Sequence, residues 1–302
     1  MRTANQRRES VLLTLLLGVF LLLYAVPGAA VTVKDVRARG ELRHLGIPYA
    51  NFIDGQQGGL DAELVRLFAN ELGVRYTFVT TTWESMFADL TGWNLSPDAP
   101  SSASRAPAGD LLASGITIFP WRESIAIFSQ PTFPTQVWLL AYATSPLRPI
   151  VPSNSLQQDI AAVRARTRGK TIIGRVNTCT DPSLYQLDES GAICRSTTHS
   201  VNMLAPAILR READATLLDM PDALVALNKW PGQLKVIGPI SEEQLMGVAF
   251  APDSTDLRDA FNAFFQRIKK DGTYVRLVSK YYPDAFSHFP TFFSTLDHAQ
   301  AK

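Results

Sequence analysis

Between residues 41 and 282, short apolar runs alternate with stretches of helical period, and nothing else in the chain limits its fold as strongly. Residues 41–47 read as a strand. Leu60, Leu64, Leu67, Phe68 and Leu72 then recur at helical spacing, and Gly73 stands where a helix stops. Val74, Tyr76 and Phe78 alternate as in a half-buried strand. A short helix is expected over 83–90, a Ser/Pro/Ala-rich surface loop over 91–109, and strands over 111–119 and 137–142. After prolines at 146, 149 and 152 come a helix at 156–165, a strand at 171–174 and helices at 182–187 and 203–211. A strand at 215–218 and a helix at 221–227 follow. Such alternation implies an α/β sheet covered on both faces. Leu257, Ala260, Phe261, Phe264, Phe265 and Ile268 lie on one face of a later helix, and 274–282 form another. These last elements come too late to complete the middle unit. The simplest layout is therefore discontinuous: most of one lobe, a second lobe, then a return to the first.

The first thirty residues are of a different character. Arg2, Arg7 and Arg8 precede a sixteen-residue apolar run, 11–26, which ends at Pro27-Gly28-Ala29-Ala30. This is the pattern of a secretory signal peptide cleaved after Ala30, with an uncleaved membrane anchor over 11–31 as the alternative. Both place the remainder outside the cytoplasm. Three arginines and one glutamate fall in residues 1–30, so the exported part carries a net charge of −1. That argues against nucleic acid as the main partner, which would need a basic face, although a local patch is compatible with it. The length of 302 residues corresponds to about two domains.

Export gives the cysteines meaning. Cys179 and Cys194 are fifteen positions apart, in a compartment that permits disulfides. A bridge is expected, contributing about 3 kcal/mol through loop closure; two separate buried thiols are the alternative. His44, His199, His288 and His298 have no metal-ligand spacing, and no cofactor or metal motif is found.

The stretch 109–131 reads GDLLASGITIFPWRESIAIFSQP. It resembles the signature of extracellular solute-binding proteins of family 3, with the Asp, the second Gly, the Arg, the Phe-Ser and the Pro in register. Gly59-Leu60-Asp61-Ala62-Glu63-Leu64, Ala213-Asp214-Ala215-Thr216-Leu217-Leu218-Asp219 and Lys270-Asp271-Gly272-Thr273 resemble three further motifs of that family, in its order. The resemblance covers about residues 33–285. It implies a two-lobe, periplasmic-binding-protein-like (type II) α/β fold with a central cleft and two hinge crossings, near 141–145 and 246–250. Lobe 1 would comprise 31–143 and 247–285, lobe 2 residues 144–246, and residues 286–302 an aromatic tail packed on its own domain or docked on a partner.

The resemblance also implies a site. A free amino acid carries a carboxylate, which suits the planar fork of an arginine. Arg122 takes that position. Asp219, at a strand end, would accept the ligand ammonium, although it also reads as a helix N-cap. Thr180, in the turn Thr178-Cys179-Thr180-Asp181-Pro182, would meet the carboxylate near a helix start. Cys179 departs from the family pattern there. Phe52 and Trp83 would wall the ligand side chain or else fill the core, and Thr117 and Phe119 join the binding set. Phe119 replaces the family's usual Thr, and Trp121 adds bulk, which favours a larger apolar or aromatic carboxylate. The expected role is that of a monomeric receptor presenting a small ligand to a membrane permease or a membrane-bound complex. Two enzymatic alternatives share the scaffold. A lytic transglycosylase would need a further catalytic domain, and only twenty residues follow Tyr282. A cyclohexadienyl dehydratase would need a cleft acid, and Glu123 is expected to point away.

Overall fold

The computed structural model describes residues 30–95, 102–103, 105–198 and 200–297. The expected export segment and part of the 91–109 loop lie outside them. Along the chain the strands are β1 (Glu41–Gly46), β2 (Arg75–Thr80), β3 (Trp93–Asn94), β4 (Ser102–Ala103), β5 (Leu111–Leu112), β6 (Ile127–Phe128) and β7 (Phe133–Thr135). They continue with β8 (Val137–Tyr142), β9 (Thr171–Arg175), β10 (Ile193–Thr197), β11 (Ala215–Asp219), β12 (Leu234–Pro239), β13 (Gln244–Met246) and β14 (Ala249–Phe250). One five-stranded sheet has the order β2-β1-β5-β14-β6 and the other β10-β9-β11-β8-β12. In the first sheet β1 runs parallel to both neighbours, and β9 does the same in the second. Parallel neighbours need crossover connections, which explains the intervening helices. The two-lobe α/β architecture is therefore observed.

The return of the chain is visible in the first sheet, where β14 pairs antiparallel with β5 and β6. Helix Thr255–Lys270 buries Leu257, Phe261, Phe264, Phe265 and Ile268, and Phe68 of helix Leu60–Leu72 packs on Phe261 and Phe264 at 5.3 and 5.4 Å. The basic last turn, Arg267, Lys269 and Lys270, suits the negative helix end.

The two sheets are joined by an antiparallel ribbon in which Phe133 faces Met246 and Thr135 faces Gln244. The first passage therefore lies at β7, upstream of the expected 141–145. The long apolar strand β8 belongs wholly to the second sheet, where both neighbours hydrogen-bond it. Apolar content could not assign it to a lobe, because both sheets have buried centres.

Local geometry accounts for other departures. The apolar run at 111–119 keeps only two residues as strand, because Gly115 turns the chain at φ +60°. A Cβ at Gly115 would lie 2.6 Å from the Phe52 ring, so only glycine fits. The helix expected at 182–187 is a single tight turn, Pro182–Tyr185, stopped by Gln186 at φ +52°. The aromatic tail packs on its own chain: Phe289 and Phe293 are buried, and Phe293 meets Phe133 of the ribbon at 6.0 Å.

Two buried titratable groups sit beneath the first sheet. The His44 imidazole bonds the Tyr76 hydroxyl at 2.9 Å and the Ala113 carbonyl at 2.8 Å. Burial lowers its pKa from 6.5 to about 4. The Asp61 carboxyl accepts the Gly115 N–H at 2.7 Å, and burial raises its pKa from 3.8 to about 7. The unfolded chain protonates its His44 first, so that group costs stability as pH falls from 6.5 towards 4. The folded chain holds the Asp61 proton longer, so that group costs stability as pH rises from about 4 to 7. The two slopes oppose over a shared window. Asp61→Asn should remove one of them, so thermal unfolding midpoints should fall more steeply on acidification from pH 7 to 4 than in the wild type. Parallel curves would contradict the assignment.

Candidate functional site

Arg122 lies in a single helical turn, Pro120–Glu123, whose proline at the first position presets the backbone. Its guanidinium is only 1% exposed, which is rare for an unpaired cation. It donates to the Thr117 carbonyl at 2.7 Å and to the Asn177 carbonyl, on the second-sheet side, at 3.1 Å. Its Nε has no partner among the described residues. The rings of Trp121, Phe119 and Phe87 lie 4.9, 5.3 and 6.0 Å from the guanidinium carbon. Burial lowers its pKa to about 10, partly offset by Cys179, Asp219 and Tyr185. Two neutral carbonyls do not balance a buried cation, so the chemistry this group fits best is a carboxylate.

Asp219 ends β11, at the C-terminal edge of a sheet where clefts open, and immediately precedes helix Met220–Lys229. Its side chain does not cap that helix. Instead the buried carboxylate accepts the Tyr49 hydroxyl at 2.6 Å and the Cys179 thiol at 3.0 Å. Burial raises its pKa. Asp222, one turn on, is also pushed up, by burial and by Asp219. The Cys179 thiol is likewise pushed well up by burial and by Asp219, so it is a neutral donor and not a thiolate nucleophile.

That geometry corrects the expected bridge. Cys179 and Cys194 are both free thiols. Cys179 is buried and turned towards Asp219, whereas Cys194 is half-buried on β10, paired with Ile172 of β9. Spacing in sequence was compatible with a bridge; the direction of the Cys179 side chain is not.

The other expected site residues divide into two groups. Thr117 is buried beside Arg122, bridges to Met246 through its backbone, and offers Cys179 a hydrogen bond. Phe119 is half-buried on the guanidinium. Trp83 packs edge-on to Tyr49 at 5.6 Å, with a buried indole N–H that has no partner among the described residues. These three join Arg122 and Asp219. Thr180 and Phe52 do not. The Thr180 hydroxyl is engaged by Thr178 at 2.8 Å and by the Arg175 N–H at 3.3 Å, holding the turn together. A Cβ at Gly174 would lie 1.8 Å from the Thr180 carbonyl oxygen, which shows how closely that turn is folded. Phe52 is fully buried among Tyr49, Phe133 and Tyr282 and is a core residue. Glu123 is exposed, as expected. The residue sequence reasoning missed is Tyr49, three positions before Phe52; its aromatic neighbour drew the assignment. Asp110 of the signature stretch is structural, since its buried carboxylate binds Arg43 at 2.7 Å and Arg39 at 2.5 Å.

The two halves meet directly across this site. Besides Tyr49–Asp219 and Arg122–Asn177, Glu84 pairs with Arg175, and Asn202 donates to the Pro48 carbonyl at 3.1 Å. A 270 Å³ cavity remains at this junction, with Tyr49, Asp54, Asn202, Asp222 and Lys229 among its lining residues.

Two α/β lobes on a ribbon hinge, with an unpaired arginine and an aspartate between them, define a ligand-binding protein of the cleft type. The family model for bacterial extracellular solute-binding proteins, family 3, matches residues 46–284, and the chain belongs to that family. Among solved structures it is similar to a mutant of ArgBP from T. maritima, with 23% identity, TM-score 0.66 and coverage of 83% of this chain and 99% of that one. It is also similar to a putative binding component of an ABC transporter from Wolinella succinogenes complexed with lysine, with 21% identity, TM-score 0.65 and coverage of 81% and 96%. An ancestral amino acid-binding protein described as a precursor of cyclohexadienyl dehydratase gives 22% identity, TM-score 0.64 and coverage of 83% and 98%. At such identities these likenesses establish the fold. Curated relatives include the membrane-bound lytic murein transglycosylase F of Desulfosudis oleivorans, 26% identical over 227 residues, 74% of this chain and 44% of that protein. The protein of the same name from Pseudomonas syringae is 24% identical over 271 residues, 88% and 49% of the two chains. The chain thus spans less than half the length of these relatives.

The thiol assignment is checked by mass spectrometry. Unfolded without reductant, the protein should take up two iodoacetamide adducts, one per cysteine. A bridged protein would take up none.

Proposed function

We propose that the chain is an exported solute-binding module whose cleft takes a small carboxylate-bearing ligand, an amino acid or a close relative, and presents it by lobe closure to a membrane partner. The observation that carries this reading is the buried Arg122, which has no acidic partner within ion-pair distance among the described residues. The ligand carboxylate takes the fork of Arg122, and the ligand amine replaces the Tyr49 and Cys179 donors on Asp219. The unpartnered Trp83 N–H supplies a further donor. Phe87, Phe119 and Trp121 around the guanidinium favour a ligand with an apolar or aromatic body. Closure is a hinge motion about the ribbon of β7 and β13.

The membrane partner is an ABC permease or a cell-wall complex. The names of the full-length relatives favour the second, and with it retention of residues 11–31 as an anchor in place of cleavage after Ala30. Binding without turnover fits a protonated Cys179 and an exposed Glu123.

Thermal shift and calorimetry with a panel of amino acids and aromatic carboxylates, including arginine and lysine, test the reading. A binder present at a hundred times its Kd should stabilise the protein by about 2.7 kcal/mol. Arg122→Met should weaken that binder at least a hundredfold, about 2.7 kcal/mol, as expected when one member of a buried charge pair is removed. Equal affinity in Arg122→Met would overturn the site. Strong stabilisation by arginine, glutamine or histidine with none by aromatic acids would overturn the preference for an apolar body. Measurable prephenate turnover would overturn binding without catalysis.

Tyr49→Phe removes a donor that competes with the ligand amine. It should tighten amine-bearing ligands relative to deaminated analogues, and an unchanged ratio would show that Asp219 does not receive the amine.

A further inference from the structure

A cavity of about 770 Å³ opens on the second lobe and, through its lining residue Tyr185, borders the Arg122 cluster. That volume falls within the range of small-molecule pockets, about 300–1,000 Å³. One wall is a single face of helix Leu156–Arg166 and its extension: Gln157, Ala161, Arg164 and Arg168 follow one another at three- and four-residue spacing. The opposite wall is the segment from Ile240 to Gln244, which runs into the hinge strand β13.

Two observations single this cavity out. Among its lining residues, Arg164 keeps a buried Nε–H and Gln244 a buried Oε1, both without a hydrogen-bond partner among the described residues. A buried polar group left unmet in this way destabilises the fold, and a ligand that met it would relieve that cost. Also, neither Arg164 nor Arg168 is in an ion pair among the described residues, so the wall carries two uncompensated guanidinium groups against the rim carboxylate of Glu242. Ile160 and Ile240 supply an apolar floor.

We infer that this cavity is a second ligand site, for a small carboxylate that also carries an amide N–H and an apolar side chain, the chemistry of an N-acylated amino acid. Arg164 and Arg168 receive the carboxylate, the Gln244 Oε1 accepts the amide N–H, and Ile160 and Ile240 cover the side chain. The site borders the hinge. The Gln244 Nε2 lies 3.5 Å from the Tyr185 hydroxyl, which donates to the Cys179 carbonyl, and the Cys179 thiol binds Asp219.

The probe is N-acetyl-L-leucine, titrated calorimetrically into the full chain. N-acetyl-L-leucine also carries the carboxylate that the Arg122 cleft is proposed to take, so the two sites are separated by the variants and not by the probe. Saturable binding is expected in the wild type and, within twofold, in Arg122→Met. At least tenfold weakening is expected in Arg164→Met and, independently, in Ala161→Phe, whose exposed position fills the cavity without disturbing the core. Unchanged unliganded melting temperatures in both variants establish that they fold. Absence of binding to the wild type, equal affinity in both cavity variants, or loss in Arg122→Met alone would each overturn the inference. The last result would leave the cleft reading intact.

Discussion

The buried guanidinium of Arg122 is the interaction on which the rest of the arrangement depends. A cation withdrawn from water is tolerable only where dipoles or charges replace its hydration. Here the replacements come from both halves of the molecule: a carbonyl at Thr117 on one side, one at Asn177 on the other, and three aromatic faces around it. None of these carries a full negative charge. The site is therefore held in a state that a carboxylate improves, and the improvement is available only when both lobes approach.

The same logic runs in reverse at Asp219. Its carboxylate is satisfied internally by a hydroxyl from the first lobe and a thiol from the second. The two charged groups are thus treated unequally. The cation lacks a counter-charge, while the anion already has two donors. Because of that asymmetry, the proposed ligand would gain most from its carboxylate, whereas its amine would only exchange one donor for another.

Much of the layout was legible in the sequence because it rests on periodicity. The faces of Leu60–Leu72 and Thr255–Lys270 are written in their apolar spacing, and the discontinuity followed from elements that came too late for the middle lobe. That Arg122 and Asp219 come to lie at the junction of the lobes was legible because a spaced motif and a strand end fix their positions. What was not legible depends on direction. No pattern says whether Tyr49 or Phe52 faces the cleft when both sit in one turn, and Gly115 closing against the Phe52 ring is what decides it. Whether Cys179 turns towards Cys194 or Asp219 is likewise a matter of side-chain aim. The sheet that claims β8 is set by hydrogen bonding to β11 and β12, both distant in sequence.

The contact between Tyr49 and Asp219 has a kinetic meaning. It holds the lobes together through groups that the proposed ligand would displace, so on that proposal the form that admits ligand is the open one, and its population sets a fraction by which apparent affinity is reduced. Association then cannot accelerate without limit. As ligand concentration rises, the observed rate would then level off at the frequency with which the Tyr49 hydroxyl leaves the carboxylate and the cleft opens, and the chain itself would set the pace of its own loading.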